Sequence, residues 1–388
     1  MDRLQAPLSA YESAWVNDDV RMFRKTVAQF IEKEFVPHQA RWREARGPDA
    51  EAWVRAGRAG ILLADLPEEY GGGGGTFAHE AVVLEELARA GVHFGSAIQS
   101  TVAHYILRYG AEAQKRNWLP RLARGESVAA IAMSEPGAGS DLQAIKTSAV
   151  RDGEHYVING SKTFITNGAR ADLVCLAAKT NPKVIGMRGI SLIMLETKDL
   201  PGYRVGRPLE KIGMHGQDTV EPFFDEVRVP VANLIGEAEG RGFAQMMEQL
   251  PYERLQIAVG AVAMAEQAVA ITTSYVKERK AFGKPLLDLQ NTRFKLAECK
   301  TGAQIGRVFL DHCIERFIAG RLDEPSTAMA KYWLTETQCR IVDECLQLHG
   351  GYGYMTEYPI ARMWADARVQ RIYAGSNEIM KELIAWSL

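Results

Sequence analysis

Val128-Ala129-Ala130-Ile131-Ala132-Met133-Ser134, then Glu135-Pro136-Gly137-Ala138-Gly139-Ser140-Asp141, and later Gly160-Ser161-Lys162-Thr163-Phe164-Ile165-Thr166-Asn167-Gly168 form the stretch on which the fold turns. The first run is apolar and has the length of a buried strand. Pro136, Gly137 and Gly139 end it and leave backbone N–H groups free to face a ligand. Asp152-Gly153, between two β-like runs, is a hairpin signal. The 160–168 run reads as a second strand closed by a turn. Two strands therefore end in a hydroxyl (Ser134, Thr166), an aromatic ring (Phe164) and a glycine turn. Such a surface suits a flat polar heterocycle, stacked on the ring with its edge atoms hydrogen-bonded. An ordinary hairpin with polar ends has the same spacing, and spacing alone does not separate the two.

Working outward, 388 residues can bury a large core and predict two or three domains. A net charge of −2 gives no broad electrostatic footprint for nucleic acid. Hydrophobic residues at 47% and charged residues at 24% fit an ordinary globular protein. No run reaches the length of a membrane span, and Asp2 and Glu12 interrupt any signal-peptide core. Cys175, Cys299, Cys313, Cys339 and Cys345 form no CxxC pair and read as reduced packing residues of a cytoplasmic protein. The eight histidines form no HExxH, and no metal site is expected.

Residues 14–44 read as a helix interrupted near its end by Pro37, and 49–59 as a short second one. The five-glycine run 71–75 lacks the Lys-Ser/Thr of a phosphate loop and reads as a flexible turn. Helices follow at 77–90, 95–109 and 111–124, with 94–104 apolar enough to wall a pocket. Short strands at 156–159, 173–178, 190–196, 203–207 and 223–229 predict a small antiparallel barrel or sandwich. The 183–188 stretch is a polar loop whose Arg188 either reaches a phosphate or solvates the loop. Three long helices are expected at 241–278, 289–319 and 326–349, with Ser326 as an N-cap and Gly350-Gly351 as the stop. A last helix begins near Ser376. The expected division is 1–127 helical, 128–237 β, and 238–388 a helical bundle.

One carboxylate stands out. Around Gln249-Leu250-Pro251-Tyr252-Glu253-Arg254-Leu255 the helix is apolar nearly all round, so Glu253 should be buried. A carboxylate there is costly unless paired or protonated, and burial makes it a stronger base. Pairing with a distant Arg is the alternative, since ion-pair networks also bury charge.

The words of the opening stretch are more specific than its spacing. Ser134-Glu135-Pro136-Gly137-Ala138-Gly139-Ser140-Asp141 with Lys162-Thr163-Phe164-Ile165-Thr166-Asn167-Gly168 resembles the flavin-binding middle domain of the acyl-CoA dehydrogenase family, where many members have Trp in place of Phe164. The resemblance extends over nearly the whole chain. It implies that Ile131, Ala132, Met133, Ser134 and Ser140 line FAD, and that Phe164, Ile165 and Thr166 cover the isoalloxazine. Ser140 would also touch the thioester. Arg279-Lys280-Ala281-Phe282-Gly283-Lys284-Pro285 with Gln290 resembles the family's FAD-diphosphate segment, which places Arg279, Phe282 and Gln290 on the cofactor. Gln347-Leu348-His349-Gly350-Gly351 adds Gln347, Gly350 and Gly351. Ser376, Asn377 and Glu378 open the last helix and would contact FAD.

The resemblance also bears on the base. Many members carry it in Ile-Tyr-Glu-Gly-Thr near the C-terminus; here that segment is Ile372-Tyr373-Ala374-Gly375-Ser376. The long-chain and isovaleryl branches carry it instead in a Glu-Arg-Leu setting, matched by Glu253-Arg254-Leu255. Glu253 is then the proton acceptor. Tyr252, Arg254, Ala374, Gly375 and Arg188 become substrate contacts, with Arg254 and Arg188 toward the CoA part. Those branches tend to have Tyr nine residues before the base, where this chain has Ala244. Ala244 with Gly95, Ser96 and Ala97 permits a roomy tunnel or a bulky branched chain. The implied reaction is FAD-dependent α,β-dehydrogenation of an acyl-CoA, with flavin N5 as hydride acceptor, an electron-transfer flavoprotein as electron acceptor and a homotetramer as the assembly. Two other readings remain. An acyl-CoA oxidase shares the fold, although many carry an extra helical domain. A flavin-binding or nucleic-acid-associated relative without dehydrogenase activity is opposed by the charge balance and by Glu253.

Overall fold

The computed structural model describes residues 11–181, 183–184 and 186–388; Asp2 and part of the 183–188 loop lie outside them. Caps mark where the first helices begin. The Asn17 side chain accepts from the Val20 N–H and opens α1 (Asp18–Phe30). A π turn (Ile31–Phe35) and a 3-10 turn (Val36–His38) lead into α2 (Gln39–Ala45). The helix expected over 14–44 is therefore broken, because Pro37 offers no N–H to an α-helical ladder. Asp49 caps α3 (Ala50–Arg58), and Thr76 with His79 forms a reciprocal capping box on α4 (Phe77–Ala90). Next come α5 (Ser96–Tyr109) and α6 (Glu112–Ala123). The 71–75 run is not a flexible turn. The N–H groups of Gly73, Gly74 and Gly75 bond to the carbonyls of Leu63, Leu66 and Ala64. A Cβ on Gly72 would sit 2.4 Å from the Leu66 carbonyl oxygen, so the run is glycine because backbone packs on backbone.

The strands are β1 (Ala129–Ala132), β2 (Ser148–Asp152), β3 (His155–Ser161), β4 (Ile165–Thr166), β5 (Leu173–Lys179), β6 (Ile190–Glu196), β7 (Tyr203–Val205), β8 (Thr219–Val220), β9 (Pro222–Pro230) and β10 (Leu234–Ile235). Eight form one sheet in the order β10-β6-β5-β2-β3-β9-β7, with β1 also on β5; β4 and β8 pair by themselves. The sheet is mixed rather than purely antiparallel: β1 lies parallel to β5, with Ile131 opposite Cys175, and β2 meets β5 in parallel at Ser148. Strand alternation divides the side chains of β5. Leu173, Cys175 and Ala177 join the core shared with the helices. Val174, Leu176 and Ala178 join Tyr156, Ile158, Val227 and Val229 in a core of the sheet's own. Strands remote in the sheet thus share one core, which gives it the sandwich character expected. The single strand expected over 160–168 is instead split: β3 stops at Ser161, and the two-residue β4 begins at Ile165.

The chain then returns to helix: α7 (Gly242–Glu278), a hairpin of β11 (Lys280–Ala281) and β12 (Lys284–Pro285), α8 (Gln290–Ile318), α9 (Glu324–Leu348), α10 (Pro359–Ala367) and α11 (Asn377–Ala385). The sequence reading passes over α10. Ser326 is not the cap of α9: Asp323 is, accepting from the Ser326 N–H at 2.8 Å, while Pro325 fills the first turn, where no N–H is missed. α7 corrects the expectation that no run could span a membrane. It is long and apolar enough to do so, but 67% of its most apolar window is buried inside the molecule. It is a core helix, contacted by α4, α5, α8 and α9.

A buried cation ties these helices together. Arg307 on α8 clamps Glu266 of α7 with two bonds of 2.8 and 2.9 Å and reaches Glu85 of α4 at 2.5 Å. Arg24, Arg89 and Arg307 surround Glu85, and these cations, with Arg307 foremost, outweigh burial and hold its carboxyl below the usual range. Removing the central cation strands a buried carboxylate. Arg307→Ala is therefore expected to lower unfolding free energy by about 3–5 kcal/mol in a denaturant titration, with wild-type helix content before the transition.

Candidate active site

The site is built on α7. Between Tyr252 and Ala265 every residue is buried except Glu253, Ile257 and Gly260. Their spacing of four and three places them on one helical face. A Cβ built on Gly260 meets nothing within 4 Å. This face therefore borders open space while the rest of the turn is core. Glu253 belongs to no ion pair among the described residues. Its Oε1 accepts the phenolic O–H of Tyr105 from α5 at 3.0 Å. Burial drives the carboxyl up to about 7, against the Tyr105 hydrogen bond and the Arg254 charge, which both lower it. Burial, aided by the Glu253 charge, also pushes the Cys175 thiol up to about 12. The base helix thus lies over the strand pair in which Cys175 faces Ile131.

On the sheet side, a buried ion pair props up the 133–140 loop. The Lys162 Nζ donates to the Met133 carbonyl at 2.8 Å and to Glu135 Oε1 at 2.9 Å. Glu135 also accepts from the Lys146 and Thr147 N–H groups. Thr163 N–H joins the two loops by donating to the Ser134 carbonyl. With Lys162 turned inward, Phe164 is thrown outward at φ 61°, with 69% of its surface exposed. A non-glycine residue at positive φ costs about 1–3 kcal/mol and points to a functional constraint. Met133, Ser134 and Thr166 are half-buried beside it, and Ser140 is exposed. Ile165 turns into the sheet core, which leaves its backbone rather than its side chain for a ligand. Asn167, also at positive φ, donates to the Gly95 and Ala129 carbonyls. A Cβ on Gly95 would lie 1.9 Å from the Asn167 amide oxygen. Gly95 is therefore small to seat Asn167, not to widen a tunnel.

The 372–378 turn closes the site from α9. The Arg254 Nε donates to the Ala374 carbonyl at 3.4 Å. Ala374 sits at φ 51°, and its own N–H has no acceptor among the described residues. The buried Lys331 Nζ donates to the Gly375 carbonyl at 2.8 Å and to Asn377 Oδ1 at 2.9 Å. Ser376 caps α11. The Asn377 side chain is engaged with Lys331, Thr335 and Glu336, so its remaining ligand contact would be backbone.

A further group lies on an exposed face. Arg279 ends α7 with its guanidinium 5.4 Å from the Tyr352 ring centroid. Phe282 has φ 52° and 94% exposure. Gln290, Gln347, Gly350, Gly351 and Glu378 are exposed as well, as is Arg188. His349 is packed instead: it stacks on Tyr275 and bonds to the Cys345 carbonyl.

The structure thus joins Glu253, Arg254 and Ala374 directly, and relates them to Ile131 through Cys175. It places Tyr252 elsewhere, roughly 100° round α7 from the base and in a different polar cluster. Its hydroxyl contacts Ser100 at 2.6 Å and donates to Asp65 at 3.0 Å, inside a sealed cluster with His104 and Glu80. Tyr105 and Lys331 were missed from sequence, and Glu135, Lys162 and Asn167 stood in the opening stretch without a role of their own.

The chain is similar to known proteins over most of its length. Family models described as acyl-CoA dehydrogenase N-terminal, middle and C-terminal domains match residues 17–126, 130–227 and 240–388. The pig (Sus scrofa) mitochondrial long-chain specific acyl-CoA dehydrogenase is 46% identical over 94% of this chain and 85% of its own. The rice (Oryza sativa) mitochondrial isovaleryl-CoA dehydrogenase is 33% identical over 98% and 93%. The crystal structure of an acyl-CoA dehydrogenase from Geobacillus kaustophilus superposes with a TM-score of 0.95 at 46% identity, covering 97% of this chain and 99% of that one.

The raised Glu253 carboxyl has a thermodynamic consequence. Its folded value of about 7 lies above the ordinary value of 4.5. Between those values the folded protein holds a proton that the unfolded chain has released, so stability is lost as pH rises through the window. Glu253→Gln has no such proton. Urea titrations are expected to show the variant gaining on the parent from about pH 4.5 to 7, by up to roughly 3 kcal/mol; a constant difference across that range would contradict the burial of this carboxyl.

Proposed function

The chain belongs to the acyl-CoA dehydrogenase family, and from that premise we propose that it converts an acyl-CoA thioester to the trans-2-enoyl-CoA with Glu253 as proton acceptor. The family's enzymes are FAD-dependent oxidoreductases. The observation that carries the assignment is the half-exposed face of Glu253, Ile257 and Gly260 on an otherwise buried helix. A base needs both access to its substrate and a carboxyl poised near working pH, and Glu253 combines them. Glu80 is also raised, to about 8, but it is sealed in the core and has no such access.

Ile131, Met133, Ser134, Ser140, Phe164, Thr166 and the Ile165 backbone would hold the flavin end of FAD. Arg279, Phe282, Gln290, Gln347, Gly350, Gly351 and the 376–378 turn would hold the remainder. The fit rests on chemistry: a free aromatic face in strained backbone beside half-buried hydroxyls at one end, and an exposed guanidinium at the other. When bound, FAD supplies the hydride acceptor. Glu253 removes the proton from the carbon next to the thioester carbonyl. The unpartnered Ala374 N–H meets the thioester oxygen as negative charge builds on it. Arg254 holds the Ala374 carbonyl, so the residue beside the base also fixes the turn that carries this donor.

Arg254 toward the CoA part and Arg188 toward a phosphate complete the proposed substrate contacts. An electron-transfer flavoprotein is the proposed electron acceptor. The exposed rings of Phe282, Phe294 and Tyr354 support association of subunits, proposed as a homotetramer. A cytoplasmic location is part of the same proposal.

Glu253→Gln is expected to retain bound FAD and lose at least about 10³-fold in the rate of flavin bleaching by acyl-CoA under anaerobic conditions. Turnover within two-fold of the parent would reject the assignment. An anaerobic panel of straight and branched acyl-CoAs on the parent enzyme then identifies the preferred acyl group. Peroxide release matching turnover would favour an oxidase.

A further inference from the structure

α5 and α7 are joined by a ladder of side-chain bonds across Pro251. Tyr109 donates to Glu248 at 2.9 Å, Ser100 meets Tyr252 at 2.6 Å, and Thr101 donates to Gln256 at 3.2 Å. Between them, Tyr105 donates to Glu253 Oε1 at 3.0 Å. Proline inside a helix deprives it of one backbone bond and loosens that turn, so orientation there depends on cross-helix contacts. The Tyr105 ring is wholly buried, and its O–H has Glu253 as its one hydrogen-bonded acceptor among the described residues. A carboxylate held at one oxygen by a fixed donor keeps its second oxygen free.

We propose that Tyr105 is a positioning residue for proton abstraction, its O–H fixing Oε1 of Glu253 so that Oε2 is the oxygen presented to the open face of α7. This rests on the reading of Glu253 as the base. The donor also favours the ionised, proton-accepting form over the protonated one. The groups facing Glu253 are Tyr105 from α5, Cys175 from β5 and Arg254 on its own helix. Asp65, Glu80 and His104 face Tyr252 instead. No other cation adjoins the base among the described residues, so the phenol is its main neutral support.

The experiment compares Tyr105→Phe, Tyr109→Phe and Glu253→Gln as FAD-loaded enzymes, following flavin reduction by acyl-CoA across pH. Tyr105→Phe is expected to slow reduction at saturating substrate about ten-fold or more, with KM moved less than about two-fold. Its acid limb should shift upward by about one pH unit. Tyr109→Phe removes an equivalent ring hydroxyl one turn away and should leave the limb in place. If Tyr105→Phe does not fold, 3-fluorotyrosine at position 105 keeps the ring and makes the O–H a stronger donor, so the limb should move downward. An unshifted limb in Tyr105→Phe, or in the fluorinated enzyme, with Glu253→Gln inactive overturns the role of Tyr105 and leaves Glu253 as the base. An active Glu253→Gln overturns the base assignment and this proposal with it.

Discussion

A carboxyl group enclosed by protein and given an O–H donor rather than a cation is the constraint around which this molecule is arranged. Glu85 supplies the internal contrast. It is wholly buried and surrounded by Arg24, Arg89 and Arg307, and those cations hold its carboxyl below the usual range. Glu253 forms no ion pair among the described residues, and burial lifts it to about 7. The two residues share a side chain and differ in their partners. One is structural glue; the other retains an affinity for a proton near neutrality.

The surrounding architecture keeps that carboxyl both dry and reachable. α7 is buried on most of its circumference, and the ladder from α5 fixes the turn that Pro251 loosens. The residue after the base anchors the Ala374 turn, and Lys331 anchors the next carbonyl from α9. On the sheet side, the buried Lys162–Glu135 pair lies in the break between β3 and β4. Their inward pairing forces Phe164 outward. Of the nine non-glycine residues at positive φ among the described residues, four (Phe164, Asn167, Phe282 and Ala374) lie within the stretches that the sequence marks for ligands.

Much of this was legible in the chain. Periodicity located α4 to α9 and the main strands, though not α10, and the β-hairpin at Asp152-Gly153 formed as expected. Glu253 was legible because an acid in a helical stretch apolar nearly all round is anomalous whatever surrounds it. What remained hidden depends on distant partners. Nothing local says that Tyr105 will meet a residue 148 positions away, or that Lys162 will turn inward to Glu135. Tyr252 was misjudged for the same reason: adjacency to the base in sequence puts it roughly 100° round the helix, in a different polar cluster. Gly95 likewise looked like tunnel space, whereas its missing side chain makes room for Asn167.

The most direct test is to observe the ionisation of the carboxyl itself. Infrared difference spectra between the parent and Glu253→Gln, recorded on the FAD-loaded proteins without substrate from pH 4 to 9, isolate the band of this one group. A protonated-carboxyl band that is absent from the variant and disappears from the parent with a midpoint near pH 7 is the expected result. A midpoint in the ordinary carboxylate range, near 4.5, would show that Glu253 is solvated or paired, and would contradict its role as a desolvated base.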